Sequence, residues 1–213
     1  MRLGSIMVDG GAGIGAYEFS THFPIDYAHD AHHDIIFASS FPAINAELAL
    51  TRWVGVGIRY RSAFYSTFSS NVLPGTDLAY RLTFYIGSKN TNKYNIPIGL
   101  SYGTTDFRYS PNGGGHIFSR GGLLNLHISP HFYPTKLLGF YFSIGFNSHM
   151  FNKVEYMDTD GTVYTEADNY HMSMYGVYFE AGLTFRLNLL SNPKKGKEKE
   201  IEHEPVSPHT RTY

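Results

Sequence analysis

The chain is predicted to fold as an all-β protein: a closed, antiparallel up-and-down transmembrane β-barrel of about eight strands. Three observations predict it. Eight segments alternate apolar and polar residues with period two, the connections between them alternate long and short, and the composition is aromatic rather than charged. Its 213 residues include 17 Tyr and 16 Phe, while charged residues make up only 16%, well under the roughly 25% of soluble domains. No run approaches the roughly 20 apolar residues of a membrane-spanning helix. Lipid contact must therefore come from strands closed on themselves, with every amide paired.

Successive side chains of a strand fall on opposite faces, so each segment can be read as two rows. In the first, Ile6, Val8, Ala12 and Ile14 oppose Asp9, Gly11, Gly13, Gly15 and Tyr17. The second sets Ile44, Ala46, Leu48 and Leu50 against Asn45, Glu47 and Ala49, then turns at Thr51 and Arg52. The third sets Val54, Val56, Ile58, Tyr60 and Phe64 against Gly55, Gly57, Arg59, Arg61 and Tyr65. In the fourth, Leu78, Tyr80, Leu82, Phe84 and Ile86 oppose Ala79, Arg81, Thr83 and Tyr85. The fifth places Tyr94, Ile96, Ile98, Leu100 and Tyr102 against Asn95, Gly99, Ser101 and Gly103. The sixth places Leu124, Leu126 and Ile128 against Asn125, His127, Ser129 and His131. In the seventh, Phe140, Phe142, Ile144, Phe146 and Met150 oppose Tyr141, Ser143, Gly145, Asn147 and His149. The eighth runs from Tyr175 to Leu189, with Phe179, Leu183 and Phe185 opposite Tyr178, Glu180, Gly182, Thr184 and Arg186.

Connections are long at 18–41, 66–76 and 155–169, medium at 110–121, and short near 51–52, 88–93 and 134–138. An up-and-down barrel with short turns at one rim and loops at the other predicts this alternation and puts both termini on the short-turn side. Residues 1–190 are expected to form the barrel. From Ser191 the composition changes to Lys, Glu and Pro, so 191–213 are read as a flexible charged tail. Met1 and Arg2 lead almost directly into the first strand, and a secreted form is expected to have had its leader removed or misassigned.

Side-chain size decides which row faces lipid. The apolar row is crowded with Phe, Tyr, Leu and Ile, whereas the other mixes Gly, Ser and Ala with ionic residues, as a narrow eight-stranded interior requires. Asp9, Glu47 and Glu180 share that second row with Arg59, Arg61, Arg81 and Arg186. Opposite charges enclosed together form a hydrogen-bonded network, where one alone would be costly. A soluble ligand-carrying barrel would invert the two rows. Pro97 and Pro130 lack a ladder amide, so bulges or strand ends are expected there.

Gly11-Ala12-Gly13-Ile14-Gly15-Ala16-Tyr17, Val54-Gly55-Val56-Gly57-Ile58-Arg59-Tyr60 and Gly182-Leu183-Thr184-Phe185-Arg186-Leu187 resemble strands of small Gram-negative outer-membrane barrels. The chain most resembles the outer-membrane β-barrel family of Bacteroidota-type bacteria, akin in size to OmpA/OmpX-type barrels. The resemblance implies a monomer in the cell outer membrane with extracellular loops and periplasmic termini. Its implied partners are outer-membrane lipid, lipopolysaccharide and the barrel assembly machinery. Family members often end on an aromatic residue, whereas here Phe185 and Leu190 precede the tail.

Functional signals are sparse. A net charge of −1 provides no basic field for nucleic acid. The absence of cysteine excludes disulfide and thiolate chemistry. In the first long connection His29, His32 and His33, with Asp30 and Asp34, offer ligands for zinc or another divalent metal, but a solvated polar loop is the expected state. His127, His131 and His149 point by parity into the lumen, where packing and ordinary hydrogen bonds account for them. Gly113-Gly114-Gly115 lacks the Lys-Ser/Thr pair of a phosphate loop. Ser148 and His149 suggest the nucleophile and base of a lipid A-modifying enzyme, yet adjacent strand residues face opposite sides. The reading that follows is a non-enzymatic scaffold without cofactor, whose long loops bind a surface ligand the sequence does not identify. Aromatic residues at Phe19, Phe23, Tyr27, Phe37, Phe68, Phe118, Tyr156 and Tyr164 would furnish those loops. Passive transport through the lumen or a lateral opening is the first alternative, and lipid A modification the second.

Overall fold

In a computed structural model of the chain, residues 4–22, 32–66, 72–86, 93–109, 116–157, 160–165 and 171–189 are described. They form β1 (Ser5–His22), β2 (His32–Ala49), β3 (Val54–Ser66), β4 (Val72–Ile86), β5 (Tyr94–Tyr109), β6 (His116–Ile128), β7 (His131–Phe132), β8 (Leu138–Met157), β9 (Val163–Thr165) and β10 (His171–Asn188). Each long strand pairs antiparallel with its sequence neighbours. β10 returns to β1 in unbroken register from Ser5↔Asn188 to His22↔His171. The eight long strands therefore close a barrel, with β7 bridging β5 and β8 at one rim and β9 extending β8 at the other. Among the described residues every one of the eight long strands is paired on both sides, which is the condition for crossing hydrocarbon as sheet.

The two rows face as their composition dictates. Phe142 is 67% exposed on the outer wall, where Phe179 and Leu183 are exposed too, while Arg61 is 1% exposed inside. Aromatic side chains mark both edges of the apolar band, with Trp53, Tyr94 and Phe132 near the short turns and Tyr60, Tyr80 and Tyr102 on the far side. The short turns fall at 50–53 and 134–137, on the same rim as Gly4 and Leu189.

Each of the four expected longer connections proves in part to be wall. β1 continues to His22, β2 begins at His32, β4 at Val72 and β6 at His116, and β8 runs to Met157. An 18-residue strand tilted by about 40° rises on the order of 40 Å, whereas the apolar band is about 25 Å tall. The wall thus projects well beyond the band on the long-connection side. β2 shows why the alternation stops short: its register shifts between Ser40 and Ala43, across the cis Phe41–Pro42 bond. Ile36, Ala38 and Ser40 face inward before the shift and Ala43, Asn45 and Glu47 after it, so even and odd positions exchange faces. The prolines sit differently from each other. Pro130 separates β6 from β7, while Pro97 lies within β5 opposite Tyr85 and accepts the Ser129 amide through its carbonyl.

Bulky inward residues are flanked across the strands by small ones. Tyr178 lies between Gly15 and Gly145, Glu180 between Gly13 and Ser143, and Arg81 between Gly57 and Ser101. A Cβ on Gly145 would stand 2.6 Å from the Tyr178 ring and 2.7 Å from the Leu126 carbonyl oxygen. Gly145→Val is therefore expected to overpack this layer and cost about 1–3 kcal/mol. Urea unfolding in lipid vesicles reads this, and unchanged stability would show that Tyr178 can swing aside.

Candidate lumenal network and outer rim

Arg59 on β3 reaches across the bore to β10, where its Nη2 meets Glu180 Oε2 at 3.0 Å. Its Nη1 donates to Asn125 Oδ1 at 2.8 Å and to the Tyr178 hydroxyl at 2.7 Å. Tyr141 donates to the other Glu180 oxygen at 3.0 Å. One turn of alternation further along β3, Arg61 holds Asp77 through Nε at 2.8 Å and Nη2 at 2.6 Å, and its Nη1 donates to Tyr17 at 2.9 Å. Asp77 also accepts from Thr105 at 2.7 Å and lies 3.3 Å from His149 Nε2 on the opposite wall.

A second ionic group fills the short-turn half. Glu47 accepts from Thr83 at 2.6 Å, from the Tyr85 hydroxyl, and pairs with Arg81 at 3.2 Å. Asp9 meets His131 Nε2 at 3.1 Å, while His131 Nδ1 lies 2.6 Å from the Ser129 carbonyl. The Arg186 guanidinium lies 3.9 Å from the centre of the Tyr133 ring. Between the two groups Arg81 Nη2, Ser101 Oγ and His127 Nε2 are buried without a protein partner, which makes this seam polar enough for water.

Toward the long-connection rim the lining changes character. Phe19, Ile36, Phe107, Phe151, Met172 and Met174 pack with Tyr17, Tyr65 and Tyr178 in one buried apolar cluster. The bore is thus closed twice, by ion pairs in the middle and by aromatic and thioether side chains above them.

All seven charged residues singled out in the sequence, Asp9, Glu47, Arg59, Arg61, Arg81, Glu180 and Arg186, are buried on the inner wall. Asp77 escaped that reading although it is the main partner of Arg61. It falls one residue before Leu78, where the apolar row of the fourth segment begins, and its inward parity with Ala79 and Arg81 is the signal that marks it. The histidine cluster fares differently. His29 and Asp30 lie outside the described residues, and His32 and His33 open β2 with side chains that are likewise outside them. Of the aromatic residues assigned to loops, Phe19 is a buried lumen residue, Phe37 faces outward from β2, and Phe118 lies in β6. Tyr156 and Tyr164 belong to β8 and β9, their side chains outside the described residues, as are Phe23, Tyr27 and Phe68 altogether. The Gly113–Gly115 run is also outside. Ser148 and His149 leave the wall on opposite faces, with His149 wholly buried.

No known family model matches the chain, and no curated protein sequence does. Solved structures do. The barrel is similar to the outer membrane protein OprG from Pseudomonas aeruginosa, with a TM-score of 0.58 at 10% identity over 88% of this chain and 97% of that one. It is similar also to the outer membrane protein AlkL, with a TM-score of 0.55 at 8% identity over 90% and 93% of the two chains. At such identities the likeness is one of fold: a closed eight-stranded barrel of the outer-membrane kind.

Proposed function

We propose that the chain is a non-enzymatic, non-conducting outer-membrane scaffold whose projecting wall serves as a binding surface. The observation that carries this reading is the doubly filled bore, in which Arg59–Glu180 crosses the lumen while Arg61–Asp77 and Arg81–Glu47 pair along one side of it, all beneath an apolar layer. An eight-stranded lumen is just wide enough for side chains to fill, and here the Arg59 side chain reaches across it to Glu180, Asn125 and Tyr178. The apolar outer band supports placement in a bilayer, and the long strands beyond it support an extracellular position for that rim, with both termini periplasmic. A wall of eight long strands each paired on both sides supports a monomer.

Planar-bilayer recording of the refolded full-length chain tests the reading. No steady conductance is expected, and Arg59→Ala together with Glu180→Ala should introduce leak by removing one cross-lumen tie. Stable unitary steps in the unsubstituted protein would overturn the proposal and put passive passage of small solutes in its place.

A further inference from the structure

The outer wall of the projecting rim carries a charged concavity that the plugged bore does not explain. Every described Lys and Arg is either inside the barrel, at a short turn, or at this rim, and the three at the rim, Arg108, Arg120 and Lys153, face outward from the neighbouring strands β5, β6 and β8. Register aligns them. Thr76, Asp106, Arg120 and Lys153 form one row across four strands, and Arg108, Phe118 and Glu155 form the next. Lys153 joins the row because β8 is shifted opposite Arg120 and Gly121, which turns it outward although Phe151, two residues before it, faces the lumen.

Together these residues border a concavity of about 390 Å³. Phe107 and Ser119 also border it, yet their side chains are buried in the lumen. They supply backbone to its floor, and the concavity opens on the outside of the wall. Arg120 pairs with Asp106 at 2.8 Å, with both side chains largely exposed, and the Arg108 guanidinium lies 5.4 Å from the centre of the Phe118 ring. All three cations keep donors available for a ligand.

Height places the concavity among lipid headgroups. Along β5 the outward apolar residues run from Tyr94 to Tyr102, a rise of roughly 20 Å for a tilted strand, and Tyr102 pairs with Tyr80 in the upper aromatic edge. The charged row begins four residues beyond Tyr102, at the depth where lipid headgroups replace acyl chains. From this placement we infer that the concavity binds the phosphorylated sugar headgroup of an outer-leaflet glycolipid. Arg108, Arg120 and Lys153 would take the phosphate through charge-assisted hydrogen bonds, and Asp106, Glu155 and Thr76 would accept sugar hydroxyls. The inference rests on the extracellular orientation of this rim proposed above.

The test uses the refolded full-length chain in detergent, titrated with bis-phosphorylated lipid A and with its dephosphorylated form. The phosphorylated form is expected to bind at least about tenfold more tightly, and R108Q/R120Q/K153Q should remove about that factor, since hydrogen bonds to charged groups reach this size. Inorganic phosphate and phosphatidylglycerol should not displace it. Equal binding of the two lipid A forms, an unaffected triple variant, or displacement by either competitor at equal concentration would overturn the inference. The single variants R108Q and K153Q carry the comparison if the triple variant lacks the heat-dependent gel shift of a folded barrel. Conductance of the same sample separates the two claims: a silent barrel indifferent to phosphate sinks only the site, and a conducting barrel that keeps its preference sinks only the plug.

Discussion

Arg61→Met is expected to cost about 3–5 kcal/mol of unfolding free energy, the largest loss among single substitutions in the lumen. The reason is what it leaves behind. Arg61 is 1% exposed and binds Asp77 through two nitrogens while donating to Tyr17. Without it a carboxylate stays buried with Thr105 and His149 as its remaining contacts. Removing one partner of a buried pair typically costs that much, because the other charge is stranded where water cannot reach it. Replacing both ends as Arg61→Met/Asp77→Leu should recover most of the loss, since apolar groups of similar volume need no desolvation. The exposed pair Arg120–Asp106, with an Nε–Oδ distance of 2.8 Å that matches Arg61 to Asp77, provides the contrast. Arg120→Met should leave stability unchanged, because solvent screens an exposed pair and its long side chains pay entropy to meet. Urea titration of the vesicle-inserted protein reads all three. A loss in Arg61→Met no greater than in Arg120→Met would mean that the middle of the bore is wet enough to solvate Asp77.

The parts of this architecture that were legible in the sequence are those governed by parity. Wherever a segment kept one register, as from Val54 to Tyr65 or from Tyr175 to Leu189, two rows of opposite character could be read and their faces assigned by size. Parity fails where the wall bends. The shift at Phe41–Pro42 exchanges the faces of β2 midway, and the shift in β8 opposite Arg120 and Gly121 does the same before Lys153. Beyond both points the outer and inner rows look like irregular loop. The apolar lining at the rim was hidden for a related reason. Phe19, Phe107 and Phe151 are inward and apolar while their outward neighbours Glu18, Asp106, Arg108 and Asn152 are polar, so above the ionic layer the two rows exchange character and the assignment made lower down no longer applies. Partner choice across the bore was not legible. Arg61 and Asp77 face each other in the β3–β4 register, but that Arg59 takes Glu180 depends on which side chains share a height after closure, and closure is set by the stagger of eight strands rather than by any one of them.

A charge placed on the outer wall at mid-height should be nearly as damaging as the loss of Arg61, and Ile144→Arg is expected to cost about 2–4 kcal/mol. Ile144 is exposed on β8 between Ile128 of β6 and Phe179 of β10, with apolar residues outward above and below it. In water an exposed Ile tolerates Arg at almost no cost, so the substitution weighs the medium and not the fold. Depth supplies the control. Leu137 is equally exposed but lies in the 134–137 turn, at the edge of the band. There Leu137→Arg should cost no more than about 1 kcal/mol, because the guanidinium reaches the headgroup layer. The gradient between the two positions is the diagnostic quantity, since misfolding from a merely intolerant site would not depend on height. Unfolding of both variants in vesicles of one composition measures it. Equal, negligible costs at Ile144 and Leu137 would mean that water, not hydrocarbon, surrounds this wall. The outward crowding of Phe142, Phe179 and Leu183 would then need another cover.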